Sequence, residues 1–129
     1  MACHYNKPIA LAILGGDRVI GRTLKLLLGA ANYEVRLLVA PVAGNLEELL
    51  EGVQILLLAP RLHFTDREAF LDGMRSAKAT AKIPILELVT GLDETQATQN
   101  YWVPWPCKME TLRKKIYEVL QKGFDEPAA

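Results

Sequence analysis

The chain has little of what most chemistries require. Two cysteines, Cys3 and Cys107, and two histidines, His4 and His63, are spread over 129 residues. Two thiols do not make a disulfide scaffold, so free thiols in a cytosolic protein are the expectation. These four residues show no paired ligand spacing, and no zinc site is expected from them. The formal net charge is zero. That argues against a general nucleic-acid binder and a polybasic membrane binder, both of which need a positive field. No apolar run approaches the roughly 20 residues that cross a bilayer. The start, Met1-Ala-Cys-His-Tyr-Asn-Lys7, has no basic segment followed by an apolar core. A signal peptide is therefore not expected, and a cytoplasmic location is.

What is present is material for a core. Half of the residues are hydrophobic, ample for one domain of this length. The chain is organised around Val53-Gln-Ile-Leu-Leu-Leu-Ala59-Pro60. This run is too short for a core helix and stands directly before a proline. It reads as a strand buried on both faces, in the middle of a parallel sheet. Such sheets keep their chemistry at the C-terminal ends of the strands. Here that end is Ala59-Pro60, and neither side chain can act as acid, base, nucleophile or metal ligand.

Residues 1–7 read as a leader. Ile9 to Leu14 is a strand ended by Gly15-Gly16, and Asp17 is placed to cap the following helix. Ile20, Leu24, Leu27, Leu28 and Ala31 predict its buried stripe, with Arg18, Arg22 and Lys25 between them. Glu34 to Val39 is a strand, Pro41 to Gly44 a loop, and Asn45 with Glu48 suggests a capping box for a short helix to Glu51. Thr65-Asp-Arg-Glu68 suggests another, opening a helix with Ala69, Phe70, Met74 and Ala77 on one side. Lys82 to Val89 is the fourth strand, with Pro84 near its start. Thr90 to Asn100 has room for one or two helical turns around Glu94 to Thr98. Tyr101 to Val103 is the fifth strand, and Pro104-Trp-Pro106 breaks the chain. The last helix runs from Met109 to Gln121, buries Leu112, Ile116, Val119 and Leu120, and stops at Gly123, leaving residues 123–129 as a tail. Strands alternating with helices predict an α/β, doubly wound, five-stranded parallel sheet of flavodoxin-like order 2-1-3-4-5, in one domain over residues 8–122.

Over those residues the chain resembles the receiver domain of bacterial response regulators. The likeness is carried by Leu14-Gly-Gly-Asp17 and Leu58-Ala-Pro60 after strands one and three, and by Ile83-Pro-Ile85 opening strand four. It continues in Trp102-Val-Pro-Trp-Pro106, followed by the helix from Lys108-Met-Glu-Thr-Leu112. The resemblance implies a CheY-like fold with a shortened fourth helix, and a signalling role. It also implies a site, which this sequence has emptied. The receiver's acidic pair falls on Gly15 and Gly16, with Asp17 one position further on. Its phospho-accepting aspartate falls on Ala59. Its hydroxyl residue falls on Val89, with Thr90 adjacent. Its lysine falls on Trp105, and the aromatic that moves in switching falls on Trp102. Without the nucleophilic carboxylate, the metal-holding acids and the lysine, the phosphotransfer reaction has no agents. The resemblance then implies a pseudo-receiver, with no enzyme activity, metal or cofactor.

Several features admit two readings. Gly15-Gly-Asp-Arg-Val-Ile-Gly21 lies where a phosphate-binding loop would lie, yet fits neither G-x-G-x-x-G nor the P-loop, and a tight turn with a helix cap explains it better. Cys107 near a helix start is either a reactive thiolate or a partly buried structural thiol, and the second is favoured. Trp102 and Trp105, clustered with Pro104 and Pro106, either plug the vanished acceptor pocket or anchor a partner; plugging is favoured for Trp102, the two readings are even for Trp105, and Trp102, Trp105 and Pro106 are the candidate partner contacts. The basic face of the last helix reads as solvated surface rather than a nucleic-acid contact. His63 and Asp66 read as a loop and helix start rather than an acid–base couple.

The leading functional expectation is a non-enzymatic module that binds a protein partner, or itself, without aspartyl phosphorylation. With no output domain in the sequence, it would be a stand-alone adaptor or one domain of a longer protein. A small-molecule or nucleotide-binding flavodoxin-like domain, with its site at Gly15-Gly16, Ala59-Pro60 and Thr90, is the alternative. A receiver still phosphorylated at Asp17 or elsewhere is the third.

Overall fold

Each apolar run of strand length forms a strand, and all of them are parallel. The computed structural model describes residues 8–90 and 101–125. The order is β1 (Ala10–Gly15), α1 (Arg18–Ala30), β2 (Glu34–Val39), α2 (Leu46–Leu49), β3 (Ile55–Leu58), α3 (Phe64–Arg75), α4 (Lys78–Ala81), β4 (Ile85–Thr90), β5 (Tyr101–Trp105) and α5 (Met109–Asp125). The sheet order is β2-β1-β3-β4-β5, the doubly wound arrangement expected. Alternation along the central strands divides the core in two. Leu11, Ile13, Ile55 and Leu57 pack with Leu24 and Leu28 of α1 and with Leu112, Ile116 and Val119 of α5. Ala12, Leu14, Leu56 and Leu58 pack on the opposite face with Phe70, Leu71 and Met74 of α3.

The helices differ from expectation where packing overrides pattern. On α1, Leu24 and Leu28 are buried, but Leu27 is 42% exposed and Val19 and Leu26 are more exposed still. The third buried place belongs to Gly21. A Cβ there would lie 2.7 Å from Cδ1 of Leu37, so the glycine lets α1 sit close on β2. α3 begins one residue before the Thr65 capping box, at Phe64, with His63 as its N-cap. His63 Nδ1 accepts from the Thr65 amide at 3.3 Å. Its buried residues are Phe70, Leu71 and Met74, while Ala69 is exposed. α2 stops at Leu49, short of Glu51.

A further short helix, α4, intervenes between α3 and β4. The buried Thr80 hydroxyl donates to the Met74 carbonyl at 2.6 Å and ties it down. β5 continues through Pro104 to Trp105 rather than breaking there. Among the described residues it is an edge strand, paired only with β4, and an edge tolerates the missing proline donor. α5 passes through Gly123 and ends at Asp125, so the tail is shorter than expected. The leader, Cys3, His4, the turns around Glu94 to Thr98 with the shortened fourth helix, and residues 126–129 lie outside the described residues. Among the described residues no helix is long and apolar enough to cross a membrane.

Candidate functional site

The C-terminal edge of the sheet brings the expected positions together. The Ala59 amide donates to the Leu14 carbonyl at 2.9 Å, and the Ala40 amide to the Gly15 carbonyl at 2.8 Å. These bonds fix the ends of β1, β2 and β3 side by side. A Cβ at Gly15 would stand 3.8 Å from that of Ala59, so the two positions face each other. A Cβ at Gly16 would meet only ordinary contacts, 3.4 Å from the Arg61 carbonyl oxygen and 3.5 Å from Leu62 Cα. There is room for a Cβ at both glycines. Ala59 itself is 5% exposed.

Asp17 is committed elsewhere. Its Oδ1 accepts from the Val19 amide at 2.8 Å, satisfying one of the orphan donors at the start of α1. The sequence Gly15 to Gly21 is thus a turn, a cap and a close-packed helix. Replacing Asp17 with alanine is expected to cost about 1 kcal/mol, the usual worth of such a cap. Urea unfolding measures this, and the response of the folded chain to magnesium should not change.

Val89 is buried at the end of β4, and the exposed Thr90 stands in register with Trp105. Trp105 is half-buried and packs on the core cluster beneath α1 and α5, as does Cys107. Trp102 is also half-buried, in register with Glu87. Three positions apart on one strand, the two indoles point to opposite faces of the sheet. Pro106 is exposed. Burial pushes the Cys107 thiol up from its ordinary value, which works against a reactive thiolate. His63 uses Nδ1 as a helix cap. Among the described residues no group of three His, Cys, Asp or Glu side chains could hold a metal ion.

Two features escaped the sequence reading. The first is an ion pair across the α3 face of the sheet. Arg67 Nη2 donates to Glu87 Oε1 at 2.9 Å, with side chains 12% and 11% exposed. Both line a cavity of about 140 Å³ that also reaches Ala59, Arg61 and Thr90. Arg67 Nε is buried without a hydrogen bond, 4.0 Å from Glu68 Oε2. One signal was available: Glu87 is the only charge inside Ile83 to Val89. Arg67, twenty residues earlier, gave none.

The second is the outer side of α1. Val19 is 73% and Leu26 74% exposed, and the exposed Arg18, Arg22 and Lys25 flank them with no acidic residue on the helix. α5 is different, because Glu118 lies 3.6 Å from Lys115 and 3.4 Å from Lys122. The hydrogen bond from Lys122 and the charge of Lys115 hold the Glu118 carboxyl below its ordinary value.

No family model matches the chain, and no curated protein sequence matches it. Solved structures do. A protein of Chloroflexus aurantiacus J-10-fl described as a response regulator is 24% identical, with a TM-score of 0.64 over 89% of this chain and 99% of its own. The signal receiver domain of a DNA-binding response regulator from Colwellia psychrerythraea 34H is 16% identical, with a TM-score of 0.67 over 88% and 98%. The chemotaxis response regulator CheY4 of Vibrio cholerae is 19% identical, with a TM-score of 0.61 over 87% and 98%. Likenesses at these identities establish the fold: the chain has the architecture of a receiver domain.

Proposed function

We propose that the chain is a receiver-like, cytoplasmic signalling module that acts by contact with a protein partner, or with itself, and without aspartyl phosphorylation. One observation carries this reading. The residue at the end of β3, where the receiver fold presents its nucleophile, is the buried Ala59. Among the described residues, the groups that would serve that nucleophile are missing around it. Gly15 and Gly16 stand where the metal-holding acids would be, and Asp17 caps α1. Val89 and Trp105 stand for the hydroxyl and the lysine. A fold kept while its chemistry is gone leaves its surfaces to do the work. The exposed Val19 and Leu26 of α1, ringed by cations, suit a partner with an apolar ridge and acidic flanks. Trp102, Trp105 and Pro106 supply a second contact at the sheet edge, with the indoles more plug than anchor because both are half-buried.

A small-molecule or nucleotide site among Gly15, Ala59 and Thr90 is the second reading. The cavity beside Ala59 favours it, and Arg61 on its lining would suit an anion, while Arg67 there is paired with Glu87. It ranks second because about 140 Å³ is less than half of what ligand pockets usually offer, about 300 Å³ or more. A nucleotide or flavin retained through purification would reverse the order.

The deciding experiment is an amide NMR titration with magnesium and beryllofluoride, an imitation of an aspartyl phosphate. The expected result is no saturable shift at Gly15, Ala59 or Thr90. Saturable shifts clustered there would mean that another group still builds an anion-and-metal site, and the reading would fall.

A further inference from the structure

A second cavity, about 330 Å³, lies between the β2–α2 loop and α3 and shares no residue with the one beside Ala59. Its floor is Leu14 and Phe70, which are 0% and 5% exposed. Nine of its ten lining residues are apolar or glycine, and the tenth is Asp66. α3 turns Asp66, Ala69, Phe70 and Gly73 toward it, and the small Ala69 and Gly73 leave the space open. Gly73 is small for a reason of packing: a Cβ there would lie 2.7 Å from Leu46 Cδ1. The opposite wall is also held. The Ala40 amide is bonded to Gly15, and Asn45 Oδ1 accepts from the Glu47 amide at 2.9 Å. Both walls are thus tied to the fold, which suits the largely pre-formed pockets that small molecules use. The Asp66 carboxylate makes no hydrogen bond or ion pair among the described residues.

We propose that this cavity binds a small organic cation, a compact apolar body with one amine or amidine seated against the Asp66 carboxylate. The apolar side chains on the walls supply part of the affinity by removing hydrocarbon surface from water, beside a comparable share of polar surface. The single carboxylate supplies orientation, through a charge-assisted hydrogen bond, and rejects anions. No second charged side chain lines the space to accept a counter-charge on the ligand. A volume near the lower end of ligand pockets, which span about 300–1,000 Å³, limits the body to roughly one ring.

The test is an amide NMR titration of the whole chain with three probes of one size: benzamidine, benzyl alcohol and benzoate. Benzamidine should shift Val42, Gly44, Asp66 and Gly73 saturably. Benzyl alcohol should bind about tenfold more weakly, the loss of one charge-assisted contact, and benzoate should not bind. Asp66→Asn should bring benzamidine down to the level of the alcohol. Ala69→Leu, at a solvent-facing position on the lining, should fill the space and abolish binding of both, and it decides the matter even if Asp66→Asn fails to fold. No saturable shift with benzamidine, an equal response to benzoate, or unchanged binding by Ala69→Leu would overturn the proposal.

Discussion

Replacing Glu87 with methionine is expected to lower the free energy of unfolding by about 3 kcal/mol, near the low end of what breaking a buried ion pair costs. The size follows from what the substitution leaves behind. Arg67 reaches from α3 to the α3 face of β4 and is 12% exposed there. Its Nε already lacks a hydrogen bond, and the next carboxylate, Glu68, is 4.0 Å away. Without Glu87 a buried guanidinium keeps its desolvation penalty and loses its nearest counter-charge. The pair itself need not stabilise the fold, since attraction between buried charges roughly offsets their desolvation. The double variant Arg67→Met/Glu87→Met should therefore recover part of the loss, since Glu87 has a further interaction besides Arg67. Urea denaturation of the two single variants and the double variant measures both effects, and a coupling near zero would show that the pair is solvated in solution.

That pair also marks the limit of what the sequence disclosed. The strands were legible because burial on both faces leaves no choice of residue: Leu56, Leu57 and Leu58 could belong to nothing but the middle of a sheet. The sheet order followed from the alternation of strand and helix. The lack of a carboxylate directly after β3 was legible for a related reason. An absent carboxylate at Ala59 is a fact of sequence alone, once the strand is known to end there. What was not legible depends on contacts between distant segments. Arg67 and Glu87 meet because α3 lies across β4, and nothing local says so. Leu27 fits the α1 stripe as well as Gly21 does by spacing, yet it is Gly21 that lies against Leu37 of the neighbouring strand, where a Cβ would require the Leu37 side chain to shift. His63 displaced Thr65 as the cap of α3 because its ring nitrogen can accept the amide that a hydroxyl usually takes. Pro104 stayed in β5 because the strand is an edge, which is a property of the sheet and not of the residue.

Ala59→Asp, the other substitution with a large expected effect, should not restore phosphorylation. Incubated with acetyl phosphate and magnesium, the variant is expected to show no mass increase for a phosphoryl group. A nucleophile is necessary for the acyl phosphate but not sufficient for it. The transferring group carries negative charge that a metal must neutralise, and the metal needs the acids that Gly15 and Gly16 do not supply. Trp105 cannot replace a cation at the phosphate. The variant should also be less stable, by about 3 kcal/mol or more, because a carboxylate would replace a methyl group in a buried position without a partner. Adding Gly15→Asp and Gly16→Asp changes both terms. A Cβ at Gly15 faces Ala59 at 3.8 Å and one at Gly16 meets ordinary contacts, so a side chain can start at both positions, and the added carboxylates are the oxygen ligands magnesium takes. Any gain of phosphorylation should be confined to variants that carry all three aspartates, and Trp105→Lys should increase it. Stable phosphorylation of Ala59→Asp alone would show that Asp17 or another existing group already binds the metal. The empty site would then lack only its nucleophile, and a phosphorylation-independent role would rest on one substitution.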